Sequence, residues 1–300
     1  MQTHHARRGL LMVMFAAVLW GTGGVAAKTI YALSPTNPTS VAFFRMALSV
    51  PLLLVLCWVT LGRRMWDVQR QDLPRMLIAG ALVALYQVAY FAAIPRVGVA
   101  ISTLVALCSA PISVAVLSSL VTRERPPALV LLALGLAIIG TVLLVQVPAN
   151  NTQNAQQSDM LGGVLLSVLS GGLYAINTLV GRKLGGDRRV HPLQTTTAGF
   201  AFGSVLLLGI GLSAGLVVQY PVEGWLGLIY LGVFPTAIAY GLFYAGMRSI
   251  SATHASIATF MEPLTATIIA TLLFNEPLND RTLLGSLFLI VAMGIIIRKQ

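Results

Sequence analysis

Two pairs of tyrosines, Tyr86 with Tyr90 and Tyr240 with Tyr244, stand four positions apart inside apolar stretches. Residues i and i+4 share one helix face, so each pair presents two rings and two hydroxyls in a stripe. Rings of this kind hold solutes through their faces and edges, and a buried phenol hydroxyl needs a hydrogen-bond partner. Gln87 places an amide beside the first pair. Trp20 and Tyr174 are further wide rings beside glycines (Gly21, Gly23 and Gly24 after the first, Gly171 and Gly172 before the second), and Asn177 lies one turn from Tyr174. Two uses are open for several of these residues. Tyr90 and Tyr244 suit either a cavity wall or the membrane edge, where tyrosine is enriched. The glycines suit either a notch beside a ring or close helix packing.

Glu262 is the one carboxylate deep in an apolar run, with Pro263 after it and Thr259 one turn before. An ionisable group within a membrane is costly and marks function by default. It can take a proton or a substrate ammonium; equally open are an ion pair with Arg45 and a hydrogen bond to backbone freed by Pro263. Lys28 and Arg182 are near enough to the ends of their apolar runs to snorkel to the interface. Glu124 and Glu276 are expected to cap or pack at helix ends, and His254, near Ser256, is a minor candidate. Pro111 and Pro263 remove helical hydrogen bonds, which either bends the helix or bares carbonyls to a cavity. No catalytic constellation is present: there is no HExxH, no GxSxG elbow and no Walker lysine loop. Cys57 and Cys108 lack the spacing of a metal site or disulfide framework. Neither a cofactor nor a metal is expected.

The elements that hold these residues come in two similar halves. Trp20, Lys28, Tyr86 and Tyr90 correspond to Tyr174, Arg182, Tyr240 and Tyr244, each 154 positions on, and Arg96, Pro111 and Glu124 correspond to Arg248, Pro263 and Glu276, each 152 on. The chain reads as a duplicated unit of about 150 residues, and internal duplication in a membrane protein points toward a transporter. The expected division is a first repeat over 1–147, an extracytoplasmic linker over 148–159 and a second repeat over 160–300.

Membrane residence follows from composition. The chain is 57% hydrophobic and 9% charged, with a mean hydropathy of +0.85, whereas a soluble domain carries roughly 25% charged residues. Its net charge of +10 would suggest nucleic acid in a soluble protein, but here the positive residues lie in loops. Ten helical spans are expected, at about 9–33, 39–61, 74–94, 98–121, 127–147, 160–184, 192–219, 222–246, 251–274 and 280–298. With the N-terminus in the cytoplasm, fifteen Lys and Arg residues fall inside and only Arg96 and Arg281 outside. Both termini are therefore expected in the cytoplasm. Five spans per repeat is an odd number, so the second repeat enters from the opposite side. The fold class expected is all-α integral membrane, with two inverted five-helix repeats around a central cavity.

In their order and spacing, "LWG", "FFR", "YFAAI" and "AP" in the first half, then "AIAYGLFYAGM", "MEP" and "NEPL" in the second, resemble the drug/metabolite transporter superfamily, EamA type. Within it the chain is similar to bacterial exporters of amino acids and related metabolites, such as the YddG-type aromatic amino-acid exporters. The resemblance implies a bacterial inner-membrane carrier with a cavity built by spans 1, 3, 4, 6, 8 and 9, and with spans 5 and 10 as outer supports. It favours Trp20, Tyr86, Gln87, Tyr90, Tyr174, Asn177, Tyr240, Tyr244 and Glu262 as site residues. Few positive residues lie deep in the spans, which disfavours phosphorylated cargo. A neutral or zwitterionic small solute suits a tyrosine-lined cavity; with no ATPase domain in this chain, gradients would drive it unless a separate subunit supplies ATP. A multidrug exporter and a non-transporting scaffold are the alternatives.

Overall fold

The protein's structure, a computed structural model, describes residues 2–68, 70, 72–122, 128–144, 154–186, 191–250, 258–259, 261–276 and 279–297. Among the described residues it is helical, without strands: α1 (Gln2–Leu33), α2 (Pro38–Leu61), α3 (Leu73–Thr122), α4 (Ala128–Leu144), α5 (Asn154–Gly186), α6 (Pro192–Ala214), α7 (Val222–Gly232), α8 (Ala239–Met247), α9 (Met261–Phe274) and α10 (Asp280–Ile297). Six of the described helical stretches are long and apolar enough to cross a membrane, and three shorter apolar helices accompany them. Such composition suits only a lipid environment, where a helix satisfies its own backbone. The chain is a multi-pass membrane protein.

Local chemistry explains where the helices start and stop. Asn37 accepts from the Ser40 backbone N–H and Pro38 follows it, a start signal for α2. His191 and Gln194 form a reciprocal capping box at α6. The 50 residues of α3 would reach about 75 Å if straight, more than twice a hydrocarbon core of about 30 Å. Gly98, at φ 81° and ψ 171°, breaks it into two rods. Only glycine adopts that conformation readily.

Several boundaries differ from expectation. The seventh span, expected to reach residue 219, ends at Ala214 because Gly215 turns left-handed at φ 93°. The eighth is interrupted by a π turn over Val233–Ile238 that joins α7 to α8. Pro235 lies within it, and a residue without an N–H cannot sustain the ordinary helical bond. α5 begins at Asn154, within the stretch expected as the 148–159 linker, and residues 145–153 lie outside the described ones. The start of the ninth span, with His254 and Ser256, lies outside the described residues, as do Glu124 and the side chains of Pro111 and Arg182.

Between helices in lipid there is no hydrophobic drive, so close backbone approach must hold them together. Glycines provide it: a Cβ on Gly21 would sit 2.5 Å from the Glu262 carbonyl oxygen, on Gly80 2.9 Å from that of Gly199, and on Gly140 2.7 Å from that of Gly285. Gly21 thus serves the packing role left open above. The pairings are α1 with α8 and α9, α2 with α6 and α7, α3 with α5 and α6, and α4 with α10.

Candidate functional site

A cavity of about 400 Å³ lies among α1, α2, α3, α5, α8 and α9. Nine of the ten residues singled out in the sequence line it: Trp20, Arg45, Tyr86, Gln87, Tyr90, Tyr174, Tyr240, Tyr244 and Glu262. Asn177 does not. It is partly buried elsewhere on α5, because three residues past Tyr174 turn it about 300°, off the face that Ser170, Tyr174 and Thr178 share at four-residue spacing. Among the described residues, none from α4, α6 or α10 lines it.

The rings form two groups. Trp20 meets Tyr240 edge-on at 5.4 Å between centroids and Phe243 at 5.2 Å, while Tyr240 stacks on Tyr244 at 6.1 Å. Tyr86 meets Tyr174 at 5.6 Å and 87°, and its hydroxyl is within hydrogen-bond reach of that of Tyr240. Such edge-to-face contacts are each worth about 0.5–1.5 kcal/mol beyond burial. The Tyr90 hydroxyl bonds Thr103 at 2.7 Å, and the Tyr244 hydroxyl bonds Thr196 at 2.7 Å. Both tyrosines line the cavity. Tyr174 is 44% exposed, the most open of these rings.

Arg45 and Glu262 line one cavity but form no ion pair. Arg45 instead donates from Nε to the Thr236 hydroxyl at 3.0 Å and lies 5.5 Å from the Phe91 ring centre. Glu262 stands in the first turn of α9, where the helix dipole favours a negative charge. Gln87 is 1% exposed, and neither its Oε1 nor its Nε2 has a partner. Buried amides are normally satisfied, so this one is an exception, with both amide atoms shut off from the open cavity. Among the described residues no cluster of His, Cys, Asp or Glu could hold a metal ion.

Lys28 is not a free snorkelling anchor. Its Nζ donates to Glu276 Oε1 at 2.7 Å and lies 4.5 Å from the Phe274 ring centre. The Glu276 carboxylate also accepts from the backbone N–H groups of Val99 (2.8 Å) and Ala100 (3.0 Å). It thus caps the second rod of α3 right after the break, as a residue with a capping role would.

Sequence reasoning missed Thr103, Ser170, Thr178, Phe243 and Thr236. Ser170 and Thr178 are four residues either side of Tyr174, and Phe243 is three after Tyr240, so extending the same-face spacing finds them. Thr103, Ala106, Leu107, Ala110 and Val114 likewise make one face of α3. Thr236 carried no signal, because its role depends on the π turn.

Comparison with known proteins follows the same lines. The family described as "EamA-like transporter family" is matched twice, over residues 7–146 and 161–298. The chain is 28% identical over 232 residues to the uncharacterized transporter YwfM of Bacillus subtilis, covering 77% of this chain and 73% of that protein. It is 30% identical over 239 residues to the uncharacterized inner membrane transporter YicL of Salmonella typhimurium, covering 78% and 76%. A shorter match, 28% over 140 residues and 47% of each chain, is to the pseudopaline exporter CntI of Pseudomonas aeruginosa. A solved crystal structure shares the fold at a TM-score of 0.64 and 16% identity, covering 96% of this chain and 95% of its own.

Proposed function

The chain belongs to the EamA-like transporter family, and we propose that it is a secondary exporter of amino acids, aromatic ones included, or similar small metabolites. It is a transporter and not an enzyme. The observation that carries the narrower reading is the cavity itself: a wall of rings, with one cation and one carboxylate that share the space without a close ion pair. A zwitterion with an apolar or aromatic side chain matches that lining. A volume of about 400 Å³ sits low in the range of about 300–1,000 Å³ usual for small-molecule pockets, which speaks for a metabolite over bulky drugs. The export direction is supported by the name of the Pseudomonas relative.

Alternating access between two inverted five-helix repeats is the mechanism we attach to this reading. Several features support it. The family match falls once in each half. Gly9 packs against Gly246, and Gly163, 154 positions after Gly9, packs against Val97. The lining residues come from both halves. Exchange of conformation between similar halves would open the midplane site to either side in turn.

Flux into proteoliposomes tests this, using labelled amino acids across a side-chain panel, with and without an imposed proton gradient. Saturable movement of aromatic amino acids, and none of a cationic dye, is the expected result. Dye transport without amino-acid transport would establish the multidrug alternative, and no flux of either would favour a scaffold.

A further inference from the structure

We infer that Arg45 is the receptor for a carboxylate on the solute, and that Thr236, on the π turn between α7 and α8, is the residue that positions it. This rests on the reading of the cavity as the solute site and adds which chemical group the site requires.

Thr236 has two lone pairs and one proton. Its hydroxyl donates to the Leu231 carbonyl five residues back, at 2.7 Å, and accepts from Arg45 Nε at 3.0 Å. Five residues is the π-turn interval, so the hydroxyl exists in this orientation because the helix is widened there. The residue is fully buried. Its grip on Nε, with the Phe91 ring near the guanidinium carbon, fixes the plane of the fork. The terminal nitrogens make no hydrogen bond or ion pair with the described residues, and Arg45 lines the cavity.

A guanidinium inside a membrane protein without a counter-ion is costly and calls for one. Glu262 shares the cavity and acts on Arg45 through space, but no carboxylate of the described residues lies within ion-pair distance of the fork. The planar fork matches a carboxylate with two parallel hydrogen bonds. Gln87 is the second observation: a residue of the same cavity lining whose buried amide has no partner and would reach a solute after a turn of its side chain. Its Nε2 can donate to the same carboxylate while its Oε1 accepts from an ammonium.

Equilibrium binding of labelled L-phenylalanine to the purified protein in lipid nanodiscs, competed by unlabelled L-phenylalanine or L-phenylalaninamide, tests the assignment. The amide keeps the ring and ammonium and lacks the charged carboxylate. The acid should compete at least tenfold better than the amide in the parent. Thr236→Val should weaken acid binding about tenfold and leave amide binding unchanged. Thr236→Ser, which restores the hydroxyl, should stay within threefold of the parent. Equal competition by acid and amide overturns the carboxylate receptor, as does failure of both to bind. Equal loss in Thr236→Val and Thr236→Ser overturns the positioning role. Acid-selective binding without flux would leave the receptor standing and defeat the exporter reading, whereas flux without acid selectivity would do the reverse.

Discussion

Tyr86 and Tyr240 bring their rings to the same cavity from α3 and α8, each in contact with a second ring from another helix. Replacing either with alanine removes a face the solute would touch. Tyr86→Ala and Tyr240→Ala should each weaken apparent affinity for the transported amino acid by roughly five- to 150-fold, about 1–3 kcal/mol. Normal expression and a monodisperse elution profile would show that the fold survives. Unchanged affinity in both would make these rings packing residues. Glu262 yields a different expectation. Because it forms no ion pair with Arg45, Glu262→Gln should fold like the parent. If the acid carries the coupling proton, this variant keeps solute-for-solute exchange and loses its response to an imposed pH gradient. A gradient response equal to the parent's would rule the acid out as carrier. The sequence identified nine lining residues because aromatic and charged side chains stand out in an apolar background. It could not show that Arg45 would turn to Thr236, since that choice is made by a widened helical turn with no signature beyond Pro235.

At the scale of elements, the junction of α1, α3 and α9 depends on one carboxylate with three donors. Hydrogen bonds to a charged group are worth about 1.5–3 kcal/mol, so Glu276→Ala should lower the thermal midpoint measured in detergent by several degrees. A midpoint equal to the parent's would contradict the capping role. The α6 start carries a pH expectation. His191 Nδ1 accepts from the Leu193 N–H at 3.2 Å, and partial burial, with Arg248 nearby, lowers its pKa below the ordinary 6.5. The unfolded chain then binds more protons than the folded one near pH 6, so this contribution to stability is complete above about 6.5 and is lost as pH falls through the lowered value. His191→Asn keeps a cap and cannot titrate. Its thermal midpoint should fall less than the parent's between pH 7.5 and 5.5, and parallel curves would defeat the idea. Helix positions were legible from apolar blocks and prolines. The end at Gly215 and the join at Gly98 were not, because a glycine between apolar blocks looks the same whether it packs, bends or terminates.

For the whole molecule, family and helical membrane class were readable from composition and motif order, since lipid leaves few alternatives for a chain this apolar. Orientation rests on the loop charges, and a tag inserted at residue 150 should be labelled by an impermeant reagent on intact cells. Labelling only after permeabilisation would reverse the orientation and with it the inverted arrangement.

The clamp of Glu276 on the break in α3 also sets an order of events during biosynthesis. Val99 and Ala100 leave the ribosome long before the carboxylate that will cap them, which is 177 residues downstream in the case of Val99. At about 5–20 residues per second, that interval is roughly 10–35 s. Through it the amides after the bend at Gly98 have no carboxylate to cap them, and Lys28 waits without its acid. A nascent chain arrested before Glu276 would hold the two rods of α3 without the lock. Site-specific crosslinks between α1 and α3 should therefore form in the finished protein and be sparse in chains stalled at residue 270.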